Sequence, residues 1–190
     1  MKSISKDRIL NGLTFEKYFN DFEKYAESLP VDSGDYDKAK LNLQRMRRIL
    51  KTYTPSDEIK SIASSLKEDQ IWMLITENWC GDSAQTVPFI HLISELSPRI
   101  FLRILERDKN LDIMDLYLTN GGRSIPKLVA FNNNMEELFQ WGARPKAAQD
   151  LFARLKSEGI EKEKIIEQIH LWYGRNRGKD IESEFIKLLL

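Results

Sequence analysis

Ile71-Trp72-Met73-Leu74-Ile75-Thr76, followed by Glu77-Asn78-Trp79-Cys80-Gly81-Asp82-Ser83-Ala84-Gln85, is the stretch whose reading decides the fold. The first six residues are an apolar run of the length expected for a buried strand. After Ser83 the sequence Ala84 to Leu96 takes on helical spacing. Cys80 therefore falls at a strand-to-helix turn, where unpaired backbone N–H groups and the positive end of a helix dipole converge. Both favour a thiolate, the nucleophilic form of cysteine. Cys80 is also the single cysteine of the chain.

Working outward, 190 residues suffice for one domain with appendages. Lys and Arg total 29, as do Asp and Glu, so net charge draws the chain neither to nucleic acid nor to an anionic membrane. The N-terminal residues lack a signal-peptide core and no apolar run reaches transmembrane length, so a cytoplasmic location is expected. A lone cysteine excludes an internal disulfide. His91 and His170 are distant in sequence and suggest no metal cluster; surface or packing roles are expected for both.

Toward the N-terminus, Phe15, Tyr18, Phe19, Phe22 and Tyr25 recur at helical spacing from Thr14 to Leu29, which reads as a core-facing stripe. A turn at 30–35 leads into a second helix to about Lys51. Its basic end, Arg45-Met46-Arg47-Arg48, reads as favourable charge near a helix C-terminus on a solvated face, with a phosphate contact as the alternative. Thr54-Pro55 is read as the cap and first position of a third helix. The order expected from there is helix 55–67, strand 70–76, helix 82–97, strand 100–105, helix 109–118, strands 127–132 and 136–141 around an Asn132-Asn133-Asn134 turn, and helix 145–157. Beyond Gly159 two more helices, 160–173 and 180–190, are expected to pack on the core. The pattern predicts an α/β fold with a mixed central sheet flanked by helices.

Three segments carry a family resemblance: Glu77 to Gln85, Leu118-Thr119-Asn120-Gly121-Gly122-Arg123-Ser124-Ile125-Pro126, and Trp141-Gly142-Ala143-Arg144-Pro145. With Pro88 eight residues after the cysteine, they resemble the thioredoxins, and more closely a bacterial group of thioredoxin family proteins with extra helices at both ends. The resemblance divides the chain into an N-terminal helical extension (1–54), a thioredoxin-like domain (55–158) and a C-terminal helical extension (159–190).

That resemblance implies thiol–disulfide exchange, with Cys80 as nucleophile. Thioredoxins use a second cysteine to release the mixed disulfide; here Ser83 holds that position. Its hydroxyl can donate to the Cys80 thiolate but cannot resolve a disulfide. Turnover would need an outside thiol, a small one such as glutathione or one on a partner protein, as in monothiol glutaredoxins. No further cofactor is implied. Thioredoxins also carry a buried carboxylate six residues before the nucleophile, where this chain has Leu74. Glu77 is the nearest substitute, although a solvated strand-end role is expected for it.

Ile125-Pro126 corresponds to the family's cis-proline loop, which faces the nucleophile and binds extended substrate by strand addition. Trp79 and Trp141 would flank that groove, the alternative for both being a place in the core, and Gly81 and Asp82 join them as candidate substrate-binding residues. Asp82 would raise the pKa of Cys80. Arg123 and Arg144 lie on loops that border the family's groove, where either could offset Asp82 or bind an anionic thiol. A modest net depression of the Cys80 pKa is expected. The alternatives are a peptide-binding module in which Cys80 is a remnant, or a redox sensor.

Overall fold

The computed structural model describes residues 4–190; the first three residues of the N-terminal extension lie outside it. The decisive strand is β1 (Gln70–Thr76), and all of its residues from Ile71 onward are buried. A strand enclosed on both faces carries a continuous apolar run rather than an alternating one. It pairs in parallel with β2 (Ile100–Glu106) and antiparallel with β3 (Lys127–Asn132), which pairs antiparallel with β4 (Glu137–Gly142). The sheet order is β2-β1-β3-β4. The outer edge of β2 is partly covered, since Leu13 exchanges two backbone hydrogen bonds with Ile104. That contact blunts an otherwise open edge.

Period-two alternation sends β1 side chains into two cores. Trp72 and Leu74 face a layer built by helices α2 (Phe15–Ser28), α3 (Tyr36–Thr52), α4 (Asp57–Ser64), α5 (Gly81–Ser94) and α9 (Lys179–Leu189). Ile71, Met73 and Ile75 face the other layer, with Ile9 of α1 (Lys6–Leu10), Ile113 and Met114 of the short α6 (Leu111–Met114), and Ile125. The sheet is mixed with helices on both sides, as the α/β reading requires.

Several boundaries differ from the sequence reading. The third helix is capped by Ser56, whose hydroxyl accepts from the Ile59 N–H, and begins at Asp57 rather than at Pro55. The expected helix 109–118 is a 3-10 turn (Arg107–Lys109) and one turn of α6, because the polar Leu118-to-Arg123 segment forms a bridge between Thr119 and Gly122 instead. Helix α1, capped by Ser5, had no periodic signal at five residues. After α7 (Lys146–Ser157), α8 (Lys162–Asn176) runs to Asn176, and the basic turn shrinks to Arg177-Gly178.

The terminal helices share the core rather than lie on it. Phe185 of α9 is fully buried and packs on Trp72 of β1 and Trp141 of β4, with ring centroids 5.5 and 5.7 Å apart. Stripping a buried aromatic to alanine removes its transfer energy and leaves a cavity. Phe185→Ala is therefore expected to lower the stability of the whole chain by about 3–5 kcal/mol. Urea unfolding followed separately by tryptophan fluorescence and by helical circular dichroism would show one shifted transition. A wild-type midpoint would mean that α9 is an appendage.

Candidate functional site

The turn between β1 and α5 places Cys80 at the N-cap of α5, with its thiol buried at 9% exposure. The turn is pinned from outside, because Asn42 of α3 donates its side-chain amide to the Asn78 carbonyl at 3.1 Å. It is pinned from within by the Cys80 N–H, which donates to the Glu77 carbonyl at 3.2 Å. Across the sulfur lies the Ile125-Pro126 peptide, which is cis. The thiol donates to the Ile125 carbonyl at 3.5 Å, a bond only the protonated form can make.

Five influences act on the sulfur. Burial and the Asp82 charge push its pKa up; the Ser83 hydroxyl and the Ser83 and Asp82 backbone N–H groups push it down. The upward pair prevails, so the pKa is raised above the ordinary value. This corrects the expected depression. The helix-end donors are present as anticipated, but no sequence feature showed that the thiol would be withdrawn from water.

The Ser83 hydroxyl is oriented by a buried chain. Thr76 at the end of β1 donates to Ser83 Oγ at 2.7 Å, which leaves the Ser83 proton free to serve the sulfur. Thr76 is hydrogen-bonded in turn to the hydroxyl of Tyr18, whose pKa is raised chiefly by burial. Tyr18 belongs to the aromatic stripe of α2, and no spacing rule distinguished it from its packing neighbours. Leu74, where thioredoxins carry a carboxylate, is fully buried on the opposite face of β1 from Met73 and Ile75.

Asp82 is held by two distant segments. Arg144, in the loop after β4, grips it with Nε to Oδ1 at 2.9 Å and an outer nitrogen to Oδ2 at 2.6 Å. Tyr173 of α8 donates its hydroxyl to Oδ1 at 3.0 Å. Arg144 thus takes the offsetting role considered for it, and it also stacks on Phe152, 4.4 Å from the ring centroid. Arg123 does not join the site: it is exposed and forms a two-point pair with Asp115.

Of the two tryptophans, Trp79 is 44% exposed beside Cys80, with the Arg107 guanidinium 4.7 Å above its ring. Trp141 is the opposite case and a correction. It is 6% exposed, donates its indole N–H to Glu184 at 2.6 Å and packs under α9, so it is not part of the groove. The next residue, Gly142, has φ +115° and lies so close to Pro126 that an added Cβ would fall 2.1 Å from the Pro126 carbonyl oxygen. The Trp-Gly-Ala-Arg motif therefore combines a core anchor, a close backbone approach to the cis-proline, and the Asp82 partner.

Glu77 is also not the solvated carboxylate expected. It is buried at 8% exposure, accepts the Asp108 backbone N–H at 2.8 Å, and has its pKa raised mainly by burial. His91 stacks on Phe15 with centroids 3.9 Å apart. His170 of α8 lies against Gly81, where an added Cβ would meet its ring at 2.9 Å. Burial and the nearby Arg45 hold the His170 pKa down at about 4, so its imidazole is neutral at physiological pH. Neither His170 nor Tyr173 could be placed near Cys80 from sequence, because only the packing of α8 brings them there. Among the described residues no cluster could hold a metal ion, and no helix is long and apolar enough to cross a membrane.

Fold and site together define an α/β protein with a solitary cysteine at the head of a buried central helix, opposite a cis-proline loop. The chain belongs to the thioredoxin family, whose model matches residues 32–156. Two solved structures share the fold. One is an HIV epitope-scaffold, with TM-score 0.65 and 15% identity over 98% of both chains. The other is a protein of unknown function from Pseudomonas aeruginosa, with TM-score 0.58 and 13% identity over 93% of this chain and 97% of that one. No curated protein matches the sequence.

Removing the Asp82 charge takes away an upward influence on Cys80 and leaves Arg144 unneutralised nearby. Asp82→Asn is therefore expected to lower the thiol pKa, and Thr76→Val, which frees Ser83 to turn away, to raise it. The pH dependence of iodoacetamide alkylation reads both; identical profiles in the two variants would refute the account. Stability should respond to alkali as well. Cys80, Tyr18 and Tyr173 all have pKa values raised in the folded state, from ordinary values of 9.0 and 10.0. Their contribution is complete below those ordinary values and is lost as pH rises through the folded ones. Urea midpoints should fall steadily above pH 9; a flat profile would contradict the burial assigned to these groups.

Proposed function

We propose that this protein is a monothiol thiol–disulfide exchange protein acting through Cys80. The observation that carries the reading is the convergence on one sulfur of helix-end N–H groups, an oriented Ser83 hydroxyl and the carbonyl of the residue before a cis-proline. The N–H groups and the hydroxyl stabilise a thiolate as it forms, and the carbonyl would pair with the backbone of an extended substrate laid along the Ile125-Pro126 loop. In the first step the Cys80 thiolate attacks one sulfur of a substrate disulfide. A new S–S bond forms to Cys80, and the other substrate sulfur leaves as a thiolate. In the second step an outside thiol, glutathione or a protein cysteine, attacks the mixed disulfide, and Cys80 departs with the bonding electron pair. Ser83 cannot take that second step, so the chain is a carrier that depends on an external thiol.

The raised pKa shapes this reading. At neutral pH the thiol dominates, and attack awaits displacement of its bond to Ile125 by an incoming substrate backbone. Trp79 supplies an exposed ring at the mouth, and Arg144 supplies charge compensation for Asp82 rather than contact with substrate. A cytoplasmic, reducing setting fits a lone free thiol. The burial of Cys80 equally favours a second reading, a peptide-binding module in which the sulfur is only a packing group in the groove.

Reduction of the mixed disulfide between glutathione and 2-mercaptoethanol separates the two. With excess glutathione, wild-type protein is expected to accelerate the reaction increasingly above neutral pH, Ser83→Ala to slow it several-fold, and Cys80→Ser to abolish it without loss of fold. Activity retained in Cys80→Ser would exclude the exchange reading. No activity in wild type, with disulfide peptides bound equally by wild type and Cys80→Ser, would establish the binding module.

A further inference from the structure

The side of α5 turned away from the cis-proline loop carries a second constellation. Between α3, α5 and the α8–α9 corner lie two adjacent chambers of about 590 and 480 Å³, with Arg48 and Gln85 lining both. Chambers of this size accommodate a small metabolite. Arg177 and Lys179 line the first chamber, Arg45 and His170 the second. The first is walled on its apolar side by Tyr53 and Phe89.

Among the described residues none of these cations forms an ion pair with a carboxylate, although the Asp82 charge favours the charged form of Arg45. Arg45 donates to the Asn42 side-chain carbonyl at 3.0 Å, and Arg48 to the Gln85 side-chain carbonyl at 3.3 Å. Burial and the charge of Arg48 both disfavour the charged form of Arg45. The neighbouring Arg47, by contrast, is paired with Glu23 at 2.7 Å. Of the two acidic residues in the cleft, Glu182 is occupied by the Tyr53 hydroxyl and the Ser56 backbone N–H, and Glu167 sits exposed on the rim. His170 Nδ1 is buried with no hydrogen-bond partner. Arg48, Arg177 and Lys179 line the first chamber from its exposed side, and an anion seated between them would gain charge-assisted hydrogen bonds from all three.

We propose that this cleft binds a small organic phosphate, its phosphoryl oxygens on Arg48, Arg177 and Lys179 and its less polar part against Tyr53 and Phe89. The size of the first chamber and its aromatic wall argue for a phosphate attached to an organic body rather than a bare ion. The cleft borders the thiol site at Gly81, against which His170 and Arg45 pack, and at Tyr173, which donates to Asp82, but Cys80 does not line it.

The test is isothermal titration of the full chain with ADP and, separately, inorganic pyrophosphate. ADP is expected to bind more tightly than pyrophosphate and to weaken with added salt. The Arg48→Gln/Lys179→Gln double variant should raise the ADP Kd by at least about tenfold. Arg47→Gln, whose guanidinium faces outward, and Cys80→Ser should leave it unchanged. Absence of ADP binding at millimolar concentration, or binding unaffected in the double variant, would overturn the proposal. Pyrophosphate binding as tightly as ADP would overturn the organic-phosphate assignment.

Discussion

A half-sequestered carboxylate beside a buried thiol sets the terms for this structure. Asp82 is only 13% exposed in its side chain, and an ionised carboxylate in such a place must be paired and hydrogen-bonded to be tolerated. Arg144 and Tyr173 supply this, one from the loop after β4 and one from α8. Satisfying one residue of the active-site motif thus draws in two segments 62 and 91 positions away. The C-terminal extension is in this sense part of the site. Without α8 the carboxylate would lose a donor, and Gly81 would lose the His170 ring that covers it.

The same arrangement explains why the sulfur is held as a thiol. Helix-end N–H groups act on Cys80 over short distances, but their influence competes with desolvation, which grows with every side chain that closes over the site. In an isolated helix start the donors would dominate. Here Ile125 and the core residues around β1 enclose the sulfur, and the thiol finds an acceptor in the Ile125 carbonyl. Protonated sulfur is then both solvated by the protein and locked against the loop that a substrate strand would use. Displacing that hydrogen bond and exposing the sulfur are one event.

The sequence showed the fold more clearly than the environment of the site. An unbroken apolar run with no charge between Ile71 and Thr76 has little choice but a central strand, and the cysteine turn and helix after it follow from spacing. Tyr18 and Trp141 show where such reading stops. Each has the pattern of a core aromatic, and both are buried, yet one touches the hydroxyl chain behind the sulfur and the other anchors α9 through Glu184. Periodicity reports which face of an element is buried, not what its polar tip meets. Arg45, Arg47 and Arg48 make the point more sharply. Three cations within four residues look alike on a helix end, and only the packing of α8 and α9 beside α3 leaves Arg45 half-buried and makes Arg48 part of a cleft wall.

Seen from α5, the appended helices add a second lined face to the one that carries the cysteine. On the cis-proline side the helix start presents a sulfur, a hydroxyl and N–H donors. On the other side its first turns, through Gln85 and Phe89, floor a cationic cleft that the 32–156 family region alone does not close, because Arg177, Lys179 and His170 all lie beyond it. Gly81 is the hinge point between the two. Any side chain there would have to displace the His170 ring, and Gly81 stands next to the cysteine in the chain. Any movement of α8 that follows occupation of the cleft would bear first on Gly81 and on Tyr173, the donor to Asp82. Both residues act on the sulfur's immediate surroundings. The physical route from the added helices to the thiol is therefore short, direct and made of named contacts.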